Sequence, residues 1–293
     1  MALYACLSDP HLTWGKPISR LDDVKITGIR KFNFVLDWCG KNDAELLIPG
    51  DLTDSAHGWY LYLELMNSII KASTIPKVVY GQHDMYFRTR ETTILNALAK
   101  NGFVDVMEGN KVVNFYGYSW QDNVEVKIEK TKAKILLIHA PISTKPIYPG
   151  GNFIDARQFL RENKQFDLIV CGDIHRKFKV EYQGRYIVNS GPMLRLDADE
   201  YMFEHKPGFW VYDTNKKNID WVEIPHEEAD VVLSRVHIER KKEINLMMKD
   251  FIDSISKEVD LDMDFEKNII NFIKVNDVDS NVQNILEDIM KGE

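Results

Sequence analysis

An α/β chain is predicted, a two-layered β-sandwich flanked by helices with a small C-terminal α/β capping domain, and three observations carry that expectation. Up to about residue 102, strand-like apolar runs alternate with helical periodicity, the rhythm of a mainly parallel sheet under covering helices. From 103 to 224 strand-like runs dominate, which calls for a second sheet packed on the first. Beyond a polar stretch at 225–232 the remaining residues return to mixed periodicity, near the lower size limit of an independent unit. The domains are therefore set at 1–228 and 229–293.

In chain order, a strand at 2–7 leads through a turn into a helix at 21–39, where Leu21, Val24, Ile29, Phe32, Val35 and Leu36 form a broad apolar face. A strand at 44–48, a helix at 57–71, a strand at 76–80 and a helix at 90–101 follow. Short apolar runs at 103–107, 111–119, 124–128 and 134–138 read as strands. A helix at 155–164 precedes a strand at 168–171, and two hairpins are expected at 177–188 and 208–224, turning at Gly184 and at 215–218. In the last unit, 244–259 reads as helix, 269–275 as strand and 282–290 as helix.

The 293 residues are 44% hydrophobic, enough for a proper core, so disorder of the whole chain is excluded. The net charge of -8 argues against indiscriminate coating of nucleic acid, while leaving room for a local basic groove. Cys6, Cys39 and Cys171 have no metal-type spacing and fit a reducing compartment. The N-terminal apolar stretch breaks at Ser8-Asp9-Pro10 and reads as a first strand rather than a signal peptide. No stretch reaches the ~20 apolar residues of a membrane span. A cytoplasmic protein without membrane association is expected.

Five segments join a strand-like run to metal-ligand residue types: Asp9-Pro10-His11, Gly50-Asp51-Leu52-Thr53-Asp54, Gly81-Gln82-His83-Asp84, His139-Ala140-Pro141 and Gly172-Asp173-Ile174-His175. Polar groups just past buried strands sit at the carboxyl edge of an α/β sheet, where such sheets place ligands. Singly each is weak: Asp-Pro is a common turn, Gly-Asp often caps a helix, and a histidine after a strand is often structural. Together they gather four of the eight histidines. Oxygen and nitrogen donors without thiolates select Mn²⁺, Mg²⁺, Fe or Zn²⁺, and the donors outnumber what one tetrahedral ion needs. Two ions sharing a carboxylate suit hydrolysis of a phosphate ester.

These segments, in this order, resemble the calcineurin-like metallophosphoesterase superfamily. Within it, Asp9-Pro10-His11-Leu12-Thr13-Trp14-Gly15-Lys16, the run 186–196, Glu200 and Lys206-Pro207-Gly208-Phe209 are similar to the nuclease subunit of the SbcC–SbcD DNA-repair complex, including its short phage-encoded relatives. The resemblance implies that Asp9, His11 and His175 hold a first metal, that Asp51 bridges, and that Gln82, His139 and Asp173 hold a second. It implies that His83 acts beside the scissile phosphate, with Asp84 orienting it. Gln82 replaces the family's Asn and Asp173 its first G-H-x-H histidine, which favours Mn²⁺ or Mg²⁺ over Zn²⁺ at the second position. It further implies a homodimer partnered by an SbcC-like ATPase, with the last unit capping a DNA groove.

Arg88, Arg90, Arg176 and Lys177 lie beside the metal motifs and are the candidate DNA contacts; the basic runs at 127–134 and 240–242 read more simply as solvated faces. Trp14, Tyr86 and Tyr148 are of a type that stacks on bases, although turn-borne aromatics also cover core edges. The expected function is a two-metal, Mn²⁺-dependent DNA nuclease. The alternatives are a phosphoesterase on small nucleotides or phosphoprotein, and a catalytically weak DNA-tethering subunit.

Overall fold

The computed structural model describes residues 2–72, 74–110, 112–121, 126–146, 152–258, 265–275 and 278–291. Its contacts divide the chain into two compact units, Met1–Ser234 and Arg235–Glu293.

The first unit holds two sheets. In one, β1 (Leu3–Cys6), β2 (Ala44–Ile48), β3 (Lys77–Val78) and β4 (Asp105–Val106) run parallel. On the other side of β1, β12 (Gly208–Asp213) and β13 (Asn218–Glu223) add antiparallel, the second of the expected hairpins. In the other sheet, β5 (Phe115–Tyr118), β6 (Ile135–His139), β9 (Leu168–Gly172) and β11 (Arg185–Asn189) are parallel. β10 (Phe178–Tyr182) closes its edge antiparallel to β11. Two short strands, β7 (Ile142–Ser143) and β8 (Ile154–Asp155), pair with each other.

Side-chain alternation explains the layering. Tyr4, Cys6 and Leu47 of the first sheet meet Ile135, Leu137, Leu168, Val170 and Val188 of the second in one buried core. The intervening residues Ala5, Leu46 and Ile48 face α1 (Val24–Asn42), α2 (Trp59–Ala72) and α3 (Ile94–Lys100). Leu136, Ile138, Ile169 and Ile187 face outward onto α4 (Ala156–Glu162). Strands buried on both faces carry unbroken apolar runs, which is why they were legible.

Local chemistry sets the helix ends. Asp23 caps α1 by accepting from the Lys25 amide, and Asp43 at φ 51° ends it, so α1 starts and stops a few residues later than its apolar periodicity suggests. Of the expected strand at 124–128, residues 124 and 125 lie outside the described residues, and 126–128 join no ladder. Val126 and Ile128 bury themselves against the outer core of the second sheet instead.

Two expectations for the C-terminal part change. The unit boundary falls at Ser234 rather than 228, because α5 (Glu200–Glu204) and α6 (Ala229–Val232) share a small core of Met202, Ala229, Val232 and Leu233. The last unit contains α7 (Val236–Glu258), α8 (Phe265–Val275) and α9 (Ser280–Lys291), with no strand among its described residues. The 269–275 run is helical: Ile269 is buried while its neighbour Ile270 is exposed, and Phe272 and Ile273 return one turn later, a spacing of 3.6 rather than 2. No described helix is long and apolar enough to cross a membrane.

The loop 191–197 after β11 is fastened by buried cations. Lys31 Nζ on α1 donates to Met193 O (3.3 Å), Arg20 Nη1 donates to Arg195 O (3.0 Å), and the Met193 amide donates to Asp9 O (3.2 Å). Lys31 is 2% exposed. Burial, with the Arg195 and Arg20 charges, pushes its ammonium down to about 7. An unfolded lysine titrates near 10.4, so between those two values the unfolded chain holds the extra proton and Lys31 makes stability rise with pH. Lys31→Met is therefore expected to be more stable than the parent at pH 7, by about 3 kcal/mol once roughly 1 kcal/mol for the lost bond to Met193 O is subtracted, with the difference shrinking as pH approaches 10. Urea unfolding across that range checks it; a difference independent of pH would refute the assignment.

Candidate metal centre

The carboxyl ends of β1, β2, β3, β6 and β9 deliver all five predicted segments to one place, where the two sheets meet. Two serines tie the meeting point together. The Ser8 amide donates to Ser190 Oγ (2.7 Å), the Ser190 amide donates to Ser8 Oγ (3.1 Å), and Ser8 Oγ donates to Cys171 O (2.9 Å), linking the ends of β1, β9 and β11.

Asp51 sits at the middle, fully buried. Its Oδ1 accepts from the His83 amide (2.9 Å), while Oδ2 has no hydrogen-bond partner and lies 3.5 Å from His11 Nε2 and 3.4 Å from His139 Nε2. On one side, Asp9, His11 and His175 offer donor atoms within 4.8 Å of one another, as do Asp9, Asp51 and His139 on the other. His11 Nε2 and His175 Nε2 face each other at 2.9 Å, and Asp9 Oδ2 is buried without a partner while Oδ1 accepts from the Asp173 amide at 3.0 Å. On the far side, His139 Nε2 is 2.6 Å from Gln82 Oε1 and 3.9 Å from Asp173 Oδ1, and Gln82 Nε2 donates to Asp173 Oδ1 at 3.2 Å. His139 Nδ1 is 2.7 Å from Pro49 O, which fixes the ring with Nε2 aimed at Asp51.

Buried carboxylate oxygens without donors, beside imidazole nitrogens confronting one another, are unfavourable unless a cation lies between them. The residues therefore fit divalent ions. Electrostatics agree. Burial and the His11 ring push His175 down to about 3, leaving it neutral with a free lone pair at neutral pH. Burial opposes ionisation of Asp51, yet the surrounding histidines hold its carboxyl below the usual range. Burial pushes Asp9 up to about 7. Burial works against the charge on His139, but Asp51, Asp9 and Asp173 raise it to about 10.

Crowding here leaves no room for side chains in the turns. A Cβ on Gly81 would stand 2.1 Å from Asp51 Oδ1, and one on Gly50, at φ 98°, would stand 2.2 Å from His139 Nδ1. Asp9, His11, Asp51 and Asp173 themselves adopt left-handed backbone (φ 45°, 44°, 49° and 90°), a region that Asp and His tolerate better than most residues.

His83 is different, being the exposed member at 41%, on the wall of a cleft of about 480 Å³ shared with His11, His175, Lys16, Leu194 and Leu196. Its Nδ1 lies 3.1 Å from Asp54 O and 3.7 Å from Asp54 Oδ1. The orienting partner is thus Asp54, which also stands 3.3 Å from His11 Nδ1, and not Asp84. Asp84 is fully buried and accepts from the amides of Gly81 (3.0 Å), Leu52 (3.3 Å) and Thr53 (3.1 Å), clamping the Asp51 loop to the His83 loop. Burial and the Asp51 charge push it up to about 6. Asp54 closes the Gly50-Asp51-Leu52-Thr53-Asp54 segment, and that spacing is its signal in the sequence. Asn189, which donates to Ile174 O (2.8 Å) and steadies the His175 turn, had no isolated signal.

The candidate DNA contacts are largely engaged within the protein. Arg90 pairs with Glu108 and covers the Tyr80 ring at 4.7 Å. Arg176 pairs with Asp199 at 3.0 Å and lies 4.0 Å from the Tyr201 centroid. Lys177 sits 4.1 Å over the Trp221 ring, and burial holds its ammonium below the ordinary value. Arg88 also has an interaction within the protein. Lys16 is the cation that lines the cleft. Tyr148 lies outside the described residues.

The model of the calcineurin-like phosphoesterase family matches residues 3–177, and the chain belongs to that family. Its class is thereby a metal-dependent phosphoesterase. Among solved structures, an archaeal phosphodiesterase is 12% identical (TM-score 0.43, covering 76% of this chain and 99% of that one). The Thermus thermophilus protein TT1561 is 11% identical (TM-score 0.49, 76% and 99%). Vacuolar protein sorting 29 from Cryptosporidium parvum is 16% identical (TM-score 0.36, 77% and 98%). No curated protein sequence matches the chain.

The contrast between neighbours 83 and 84 is testable. Asp84→Ala leaves three buried amides without an acceptor and is expected to lower unfolding free energy by on the order of 3 kcal/mol. His83→Ala is expected to stay within about 0.5 kcal/mol of the parent. Denaturant melts of the two variants decide it, and equal losses would contradict the division of roles.

Proposed function

We propose that this protein is a two-metal DNA nuclease, acting as a homodimer with an SbcC-like ATPase, with residues beyond 235 flanking the DNA. The observation that carries the reading is the donor set gathered around Asp51 Oδ2, His11 on one side and His139 on the other. DNA as the substrate is supported by the 186–209 segment, because Pro192, Leu194 and Leu196 of that segment form one wall of the cleft beside His83.

In this reading Asp9, His11 and His175 hold one ion, Gln82, His139 and Asp173 the other, and Asp51 both. When bound, such a pair of ions draws charge from phosphoryl oxygens and acidifies water, and the oxygen-rich second set favours Mn²⁺. The chain's own contribution is to exclude solvent from the buried carboxylates and to present His83 at the cleft wall. With Nδ1 held by Asp54 O, the proton of the charged ring at Nε2 is available to the leaving oxygen. The Asp54 carboxylate supports the protonated ring before that transfer, which leaves the imidazole neutral. Lys16 on the cleft wall offsets phosphate charge.

The rival reading, a phosphodiesterase on small nucleotides, is favoured by one observation: Arg90, Arg176 and Lys177 are tied to partners within the fold. With Mn²⁺, the protein is expected to degrade DNA and to stop on addition of EDTA. Asp51→Asn is expected to lose both DNA cleavage and bis-p-nitrophenyl phosphate hydrolysis. His83→Ala is expected to cut DNA about 10³-fold more slowly while elemental analysis still finds two ions per chain. Hydrolysis of bis-p-nitrophenyl phosphate with plasmid and oligonucleotides left intact, with and without the ATPase, would favour the small-substrate reading.

A further inference from the structure

We propose that the turn Tyr86–Thr89 is a stacking contact for unpaired nucleobases of the strand whose phosphate enters the cleft, with Phe87 at its tip; this rests on the nuclease reading above. The turn is closed reciprocally, the Tyr86 amide donating to Thr89 O (3.0 Å) and the Thr89 amide to Tyr86 O (2.9 Å). Both tip residues have positive φ, 46° at Phe87 and 63° at Arg88, the sign pattern of a type I′ turn. Such positions belong to Asn and Gly, and ordinary side chains are strained there. Phe87 does not recover that strain by burial, since it is 81% exposed. Strain retained under an exposed aromatic points to a ligand rather than to the core.

The surroundings say which ligand. The tip follows His83 by four residues, and its rings continue into others. Phe87 meets Tyr86 at 4.4 Å, and Tyr86 meets His57 at 4.3 Å. Two residues beyond His57, Trp59 meets Tyr60 at 3.7 Å, and Tyr60 lies parallel to Trp14 to within 5°. Trp14, Trp59, Tyr60 and Tyr86 are 40%, 64%, 52% and 46% exposed. Trp14 neighbours the cleft residues Thr13 and Gly15, and Lys25 Nζ stands 5.4 Å from its ring centroid. Flat exposed rings, one of them beside a lysine and two of the ring-bearing segments close in sequence to cleft residues, match a strand of splayed bases. Bases inside a duplex are stacked on each other and unavailable, so this surface selects single strands and frayed ends.

Phe87→Asn tests this without unfolding the turn, because Asn suits the left-handed position. Affinity for a labelled fifteen-residue oligothymidylate is measured by fluorescence anisotropy with Ca²⁺ in place of Mn²⁺, beside an abasic strand of equal length. The expected result is about tenfold weaker binding of the oligothymidylate, a melting temperature equal to or above the parent's, and no difference between the two proteins on the abasic strand. Unchanged affinity for the oligothymidylate, in a parent that cuts plasmid, would overturn the stacking contact and leave the nuclease reading standing. An equal loss on the abasic strand would also overturn it, since the contact would then be to the backbone. A parent that binds neither strand yet hydrolyses bis-p-nitrophenyl phosphate would remove both proposals together.

Discussion

The Asp51 carboxylate, held between the His11 and His139 imidazoles, joins the two halves of the sandwich. Asp51 and His11 follow strands of the first sheet, and His139 ends a strand of the second. Their approach to 3.5 Å and 3.4 Å requires the carboxyl edges of both sheets to coincide. The shared core between the sheets, and the Ser8–Ser190 exchange beside it, fix that coincidence. Charges in such numbers could not be left dry on a flexible scaffold, because an isolated buried carboxylate would take up a proton instead.

The same constraint explains the backbone. Five chain segments must deliver carboxylates and imidazoles into a space only a few ångströms across, so their turns are tight. Asp9, His11, Asp51 and Asp173 turn through left-handed conformations, and Gly50 and Gly81 stand where any Cβ would strike a neighbouring ligand-type side chain. Asp84 then locks two of these turns together through the amides of Leu52, Thr53 and Gly81, with the Thr53 hydroxyl as a further donor. Rigidity at the carboxyl edge is thus built largely from contacts to the main chain, leaving His83 exposed on the cleft wall.

The sandwich was legible because its central strands are buried on both faces, so their apolar runs are continuous and each ends in a polar signature. Periodicity alone did not settle short apolar runs. Ile269 to Val275 is rich in β-branched residues, which suggests a strand, but its burial follows the helical repeat. Adjacency misled at Asp84. A neighbour of a candidate catalytic histidine is an obvious orienting group, yet consecutive residues in this turn point opposite ways, one into the core and one into the cleft. Arg90, Arg176 and Lys177 lie beside the metal motifs in sequence, but their ion pairs and ring contacts depend on Glu108, Asp199 and Trp221, which are remote or unremarkable in sequence.

The two departures from the family pattern are related by size. A histidine reaches farther from its backbone than an aspartate, and a glutamine farther than an asparagine. At the proposed second metal position this chain carries the shorter Asp173 and the longer Gln82. The two side chains touch, Gln82 Nε2 donating to Asp173 Oδ1, while Gln82 Oε1 still reaches the His139 ring. The methylene gained at position 82 thus makes up reach lost at position 173. A single replacement would change reach on one side only, whereas the pair keeps donor atoms facing His139. Under the proposed ligand set what changes is charge: a carboxylate oxygen stands in place of an imidazole nitrogen, which would harden the set toward oxygen-loving ions without dismantling it.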